Sequence, residues 1–172
     1  NIYVEMGEVS EFAQYAAQTN GLKAINRNEI DTLSYTAAEK MYGKGDVDAA
    51  KLKFSEYLAS HPEGVYRLDS HYYLGEICYK EDAFDDALGH YEKVMEYSDN
   101  KYTELAIMRA AGINYGKEEY EKAGELYKDL LAKSSSEERR QLARVNIMRA
   151  AQKCEKYGET VKYAGELLAN ST

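Results

Sequence analysis

An alanine followed four residues later by an aromatic recurs at Ala50/Phe54, Ala87/Tyr91 and Ala123/Tyr127, in steps of 37 and 36 residues. Three residues before each alanine stands Val47, Phe84 or Tyr120, and seven after it Tyr57, Val94 or Leu130. Twelve before it stands a small residue, Ala38, Gly75 or Ala111. Offsets of three, four and seven put side chains on one helical face. A small residue opposite a large one lets two helices cross closely. A long fixed period with constant offsets therefore restricts the chain to stacked helical hairpins. The stretch Leu74–Tyr91 shows one hairpin most clearly: Leu74, Ile77 and Cys78 on one helix, a polar turn at Glu81-Asp82, then Phe84, Ala87, Leu88 and Tyr91.

Leu74-Gly75, Ala87 and Tyr91, with Gly45, Ala50, Phe54 and Pro62 one period earlier, resemble the tetratricopeptide repeat. That resemblance implies an all-α fold, a right-handed α-α superhelix (solenoid) of antiparallel helical hairpins. It also implies a non-enzymatic scaffold for protein–protein interaction. The segment HPEGVYRLDSHYYLGEICYKEDAFDDALGHYEKVMEY is similar to repeats of Gram-negative cell-envelope proteins, of the Tol-Pal-associated and outer-membrane-assembly types. VEMGEVSEF and LSYTAAEKMY resemble a larger multi-repeat version. Cys78 stands where that pattern has an aromatic, and Asp82 where it has the turn glycine. The resemblance implies a periplasmic or outer-membrane-associated protein, while the residues alone leave a cytoplasmic one open.

The period predicts a single array over residues 1–172: the second helix of a truncated repeat at 1–20, repeats at 29–62, 66–98 and 102–133, and an irregular repeat at 137–170. GEVSEFAQYAAQTN near the start parallels GETVKYAGELLANS near the end, and the opening without a methionine suggests a piece of a longer protein. Asp46 is expected to cap one helix, and a serine of Ser134–Ser136 another, with Glu137 or Glu138 in its first turn. His61-Pro62 should stop the helix before it, because the residue preceding proline avoids helical dihedrals. The last repeat is ambiguous. Pairing its IMRAA run at 147–151 with IMRAA at 107–111 disagrees by three residues with the alignment of Tyr157-Gly158-Glu159-Thr160. The first pairing puts Cys154 in the place of Cys78 two repeats later, with both cysteines buried, and the two alignments together predict a shortened or shifted turn in this repeat.

Composition excludes more than it identifies. A single proline and few β-branched runs favour helix. A net charge of −8 lacks the basic stripe that displaces counterions from nucleic acid. No apolar run reaches the roughly 20 residues that span a bilayer, so no membrane insertion is expected of this segment. His61, His71 and His90 lack second ligands at i+3 or i+4, and no metal or cofactor is expected. Gly43-Lys44-Gly45 lacks the strand and flanking residues of a phosphate loop. Neither a nucleophile elbow nor a Cys–His pair is present, so catalysis is not expected.

Seventeen tyrosines and no tryptophan supply rings that pack while their hydroxyls reach water or a ligand. On the first helices of successive hairpins, three sets recur with the period: Tyr42, Tyr79 and Tyr115; Glu39, Glu76 and Gly112; Tyr35, Tyr72 and Met108. Together they predict a concave groove for a peptide or protein, in which Glu39 and Glu76 favour Lys or Arg. The same tyrosines could instead serve only to pack neighbouring repeats. A second class of reading is a structural spacer or self-associating array within a large envelope protein.

Overall fold

The computed structural model describes residues 27–97 and 99–169, so the helix expected over residues 1–20 lies outside them. The described residues form eight helices and no strand: α1 (Arg27–Gly43), α2 (Val47–Ser60), α3 (Arg67–Lys80), α4 (Phe84–Glu96), α5 (Thr103–Gly116), α6 (Tyr120–Lys133), α7 (Glu137–Lys153) and α8 (Tyr157–Ala169). The chain divides into two compact units between Ala83 and Phe84. Helices α1–α3 belong to the first and α4–α8 to the second.

Helix ends follow from local chemistry. Asp46 Oδ1 accepts the Ala49 amide at 3.2 Å, and Ser136 Oγ accepts that of Arg139 at 3.4 Å. Each satisfies one of the amides left over at a helix start. Glu137 and Glu138 lie in the first turn of α7, where carboxylates complement the helix dipole. At the other end of α2 the His61 amide closes on Tyr57 O, and Pro62 follows.

The turn inside each hairpin is the same device four times. One residue adopts a left-handed conformation: Gly45 at φ 79°, Asp82 at 58°, Glu118 at 63° and Glu155 at 57°. The following amide reaches back to a carbonyl five residues earlier: Asp46 to Met41, Ala83 to Cys78, Glu119 to Asn114 and Lys156 to Ala151. This is the six-to-one closure of a Schellman turn, which satisfies a carbonyl stranded at a helix end. Glycine enters that region freely, whereas a side chain makes it cost about 1 kcal/mol.

These turns decide the register of the last repeat. The first helices end at Gly43, Lys80, Gly116 and Lys153, steps of 37, 36 and 37 residues. The IMRAA pairing, which needs a step of 40, is therefore overturned. Ala143, Ile147 and Ala150 of α7 occupy the buried places of Ala106, Ala110 and Ile113 of α5. The three extra residues lengthen the start of α7 and leave its turn unchanged. A slip of three residues keeps side chains on nearly the same helical face, so the motif could not fix the register. As a consequence Cys154 is a half-buried turn residue in the place of Glu81 and Lys117, while Cys78 alone is buried.

Each unit has its own core. In the first, Tyr35, Ala38, Ala50, Phe54, Tyr57, Leu74 and Ile77 form one cluster. In the second, Ile107, Ala111, Ala123, Tyr127, Leu130, Ala143, Ile147 and Tyr163 do so. Ala50 and Ala123, which mark the sequence period, are wholly buried, as is Ala87 on α4.

Candidate functional site

The candidate face of the first unit lies on α1 and α3, and a buried polar clasp holds these helices in place. Asp31, in the first turns of α1, accepts the Tyr57 hydroxyl at 2.5 Å through Oδ1 and the Val65 amide at 3.1 Å through Oδ2. The Tyr57 oxygen in turn accepts the Tyr66 amide at 2.9 Å. One carboxylate thus joins the start of α1, the end of α2 and the loop leading into α3. Burial pushes the Tyr57 hydroxyl pKa up, and the hydrogen bond to Asp31 adds to the shift, so it stays protonated and can donate. Gly64 completes the clasp: a β-carbon there would collide with the Tyr57 hydroxyl.

Sequence reasoning missed this clasp, although it left one trace. Tyr57 occupies the position held by Val94 and Leu130 in later repeats. A tyrosine buried among aliphatic counterparts needs a partner for its hydroxyl. The partner lies 26 residues away, a separation that no helical spacing encodes.

Above the clasp, aromatic rings join the two helices. Tyr35 stacks on Tyr66 with centroids 4.3 Å apart and planes within 6°. Tyr42 meets Tyr73 at 5.0 Å, and Tyr73 stacks on Phe54 at 5.2 Å. Lys80 Nζ donates to the Tyr42 hydroxyl at 3.3 Å. Tyr66 and Tyr73 were not among the expected site residues, yet they link the helices that carry the site.

The eight expected residues fall into two groups. Tyr35, Glu39, Tyr42, Tyr72, Glu76 and Tyr79 belong to the first unit, Met108 and Tyr115 to the second. Tyr35 is only 6% exposed and packs against Phe54 and Tyr57 as well as Tyr66. Its ring is committed to the core, and its hydroxyl points along α1 to Glu39 Oε1 at 3.4 Å. Glu39 is exposed, while Tyr42, Tyr72, Glu76 and Tyr79 are half-buried. In the second unit Met108 and Tyr115 pack against the core as partly buried residues. Tyr115 also meets Tyr120 edge-on at 5.0 Å. Gly112, between them on α5, is exposed and leaves the surface locally open.

Among the described residues no group of three or more His, Cys, Asp or Glu could hold a metal ion. No described helix is long and apolar enough to cross a membrane.

The sequence matches no family model and no curated protein. Solved structures do resemble it. A putative kinesin light chain with nearly identical TPR-like repeats from Podosopora anserina aligns over 97% of this chain and 89% of its own, with a TM-score of 0.58 and 18% identity. MamA of AMB-1 aligns over 96% of this chain and 90% of its own, with a TM-score of 0.59 and 15% identity. A second MamA structure covers 81% of this chain and 90% of its own, with a TM-score of 0.51 and 18% identity. The fold is that of a tetratricopeptide-like repeat solenoid. At such identities the likeness concerns fold alone.

Proposed function

We propose that this chain is a non-enzymatic interaction module that holds a basic peptide or protein segment against the first-helix face of α1 and α3. The observation that carries the reading is the juxtaposition of these helices through Tyr42, Tyr73 and Lys80. Glu39 and Glu76 stand three residues before Tyr42 and Tyr79 on the same two helices, a spacing that puts each pair on one helical side. Tyrosine provides contact area at low entropic cost together with a hydroxyl for the partner's backbone. Carboxylates beside apolar rings favour Lys or Arg, whose stems pack while their charge is met. Met108 and Tyr115 continue the same periodic positions on α5 and would give the second unit a related, less acidic face. The resemblance of residues 61–97 to envelope repeats supports a partner in the bacterial envelope.

The test is titration of a fluorescent Lys-rich peptide into the whole chain, with a Glu-rich peptide as control. Glu76→Lys and Tyr72→Ala should each weaken binding of the basic peptide by more than about 1 kcal/mol, with unchanged helicity. Equal affinity in both variants overturns the assignment of the face.

A further inference from the structure

Several lysines that reach across to another element of this chain end on carboxylates: Lys51 on Glu81 at 2.5 Å, Lys128 on Glu159 at 2.7 Å and Lys133 on Asp99 at 2.9 Å. Lys80 does not. It is the exposed last residue of α3, and its ammonium donates to the Tyr42 hydroxyl of α1 at 3.3 Å, 5.5 Å from the ring centroid. Glu76 stands one turn earlier on α3, at the four-residue spacing that suits a Glu–Lys pair, yet the ammonium turns to the neighbouring helix. A neutral phenol oxygen at the long end of hydrogen-bonding distance, within reach of water, holds an ammonium only weakly. The helices do not depend on this tie. Tyr42 also meets Tyr73, Tyr35 stacks on Tyr66, and the Asp31 clasp joins the same elements.

A cation already placed on Tyr42 identifies the chemistry that this part of the face receives. We propose that the Tyr42 hydroxyl and ring are the subsite for a lysine ammonium of the partner, and that Lys80 fills it in the free protein as an internal competitor. The proposal rests on the reading of the α1–α3 face as one that holds a basic segment. The chemistry is the same in both states: the tyrosine oxygen accepts from the ammonium, and the ring attracts its charge. Lys80 can leave at little cost, because its flexible stem returns a strongly hydrated charge to water. While it stays, the subsite is free for only part of the time, and the apparent affinity for a partner is reduced by that fraction.

The test is titration of the fluorescent Lys-rich peptide into the whole chain and its variants. Lys80→Met should tighten binding about three-fold or more, with unchanged helicity. Lys44→Met removes the same charge from the exposed turn just after Tyr42. It should have a smaller effect, which measures the general gain from a more acidic surface. In a Tyr42→Phe background, which lacks the accepting hydroxyl, Lys80→Met should gain no more than Lys44→Met does. Equal effects of Lys80→Met and Lys44→Met in the otherwise native chain overturn the inference. So does weaker binding by Lys80→Met, which would make Lys80 a positioning residue that holds α3 to α1. If Glu76→Lys and Tyr72→Ala still lower the affinity in either case, the basic-segment face stands without the competitor. If the peptide binds neither the native chain nor Lys80→Met, both readings fall.

Discussion

Asp31 and Glu104 stand two repeat steps apart, each near the start of a first helix, and each ties that helix to the loop that closes its own repeat. Their chemistry differs. Asp31 is buried and serves a tyrosine hydroxyl and a backbone amide. Glu104 is only partly buried and accepts from the Ser134 hydroxyl at 2.9 Å and the Arg139 guanidinium at 2.6 Å. The repeat frame thus determines where a carboxylate is delivered, and local burial decides its role. In the first unit it satisfies buried donors that would otherwise be stranded. In the second it forms a charge pair at the surface, where solvent screens the attraction.

That contrast sets the order of expected effects. Asp31→Ala leaves the Tyr57 hydroxyl and the Val65 amide without their acceptor, and should cost about 3 kcal/mol in urea denaturation. A loss under about 1 kcal/mol would show that water replaces the carboxylate and that the clasp is no stronger than its surface counterpart. Tyr57→Phe should cost less, since Asp31 keeps the Val65 amide. Because the Tyr57 pKa is raised in the folded state, its contribution is present below the ordinary tyrosine value and is lost as pH rises above it. Tyr57→Phe should therefore flatten part of the alkaline decline in stability.

The second tie should fail at the opposite end of the pH scale. Burial works against the Glu104 carboxylate, but the hydrogen bonds from Arg139 and Ser134 outweigh it, and the folded pKa is lowered. Its contribution is present above the unfolded value and disappears as pH falls through the folded one. Glu104→Gln should cost about 1 kcal/mol at neutral pH, and the urea midpoints of the two proteins should converge as pH falls below the ordinary carboxylate range. A constant gap down to acid would mean that Glu104 acts through packing.

The smallest effect concerns the turns. The first uses Gly45, whereas Glu118 and Glu155 strain the same conformation in the second unit. Glu118→Gly should raise stability by about 0.5 kcal/mol, the relief of strain being partly offset by the freer unfolded chain. Gly45→Ala should lower it by about 1 kcal/mol, as seen by the shift in Tm.

Much of the hairpin architecture was legible because its signals are local. Ala50/Phe54 and Ala123/Tyr127 fall on single helices, and a cap such as Asp46 acts on an amide three residues away. The candidate site was legible in outline only. The spacing of Tyr35, Glu39 and Tyr42 placed them on one side of α1, but could not show that Tyr35 would turn into the core. Its neighbours Tyr57 and Tyr66 come from other elements, and their packing against it depends on how those elements close. Likewise IMRAA looked like a register marker because a three-residue slip on a helix preserves the face; only the repeated turn geometry separates the two registers.

The sequence by itself determined the helical period, the small and large residues that let helices cross, and the caps and breaks between them. Each rests on interactions within a few residues, which chain connectivity imposes. The tertiary structure alone decided that Asp31 meets Tyr57 and that Glu104 meets Arg139. These pairs join groups 26 and 35 residues apart in the chain. Burial and hydrogen-bond satisfaction settle them once the hairpins have stacked.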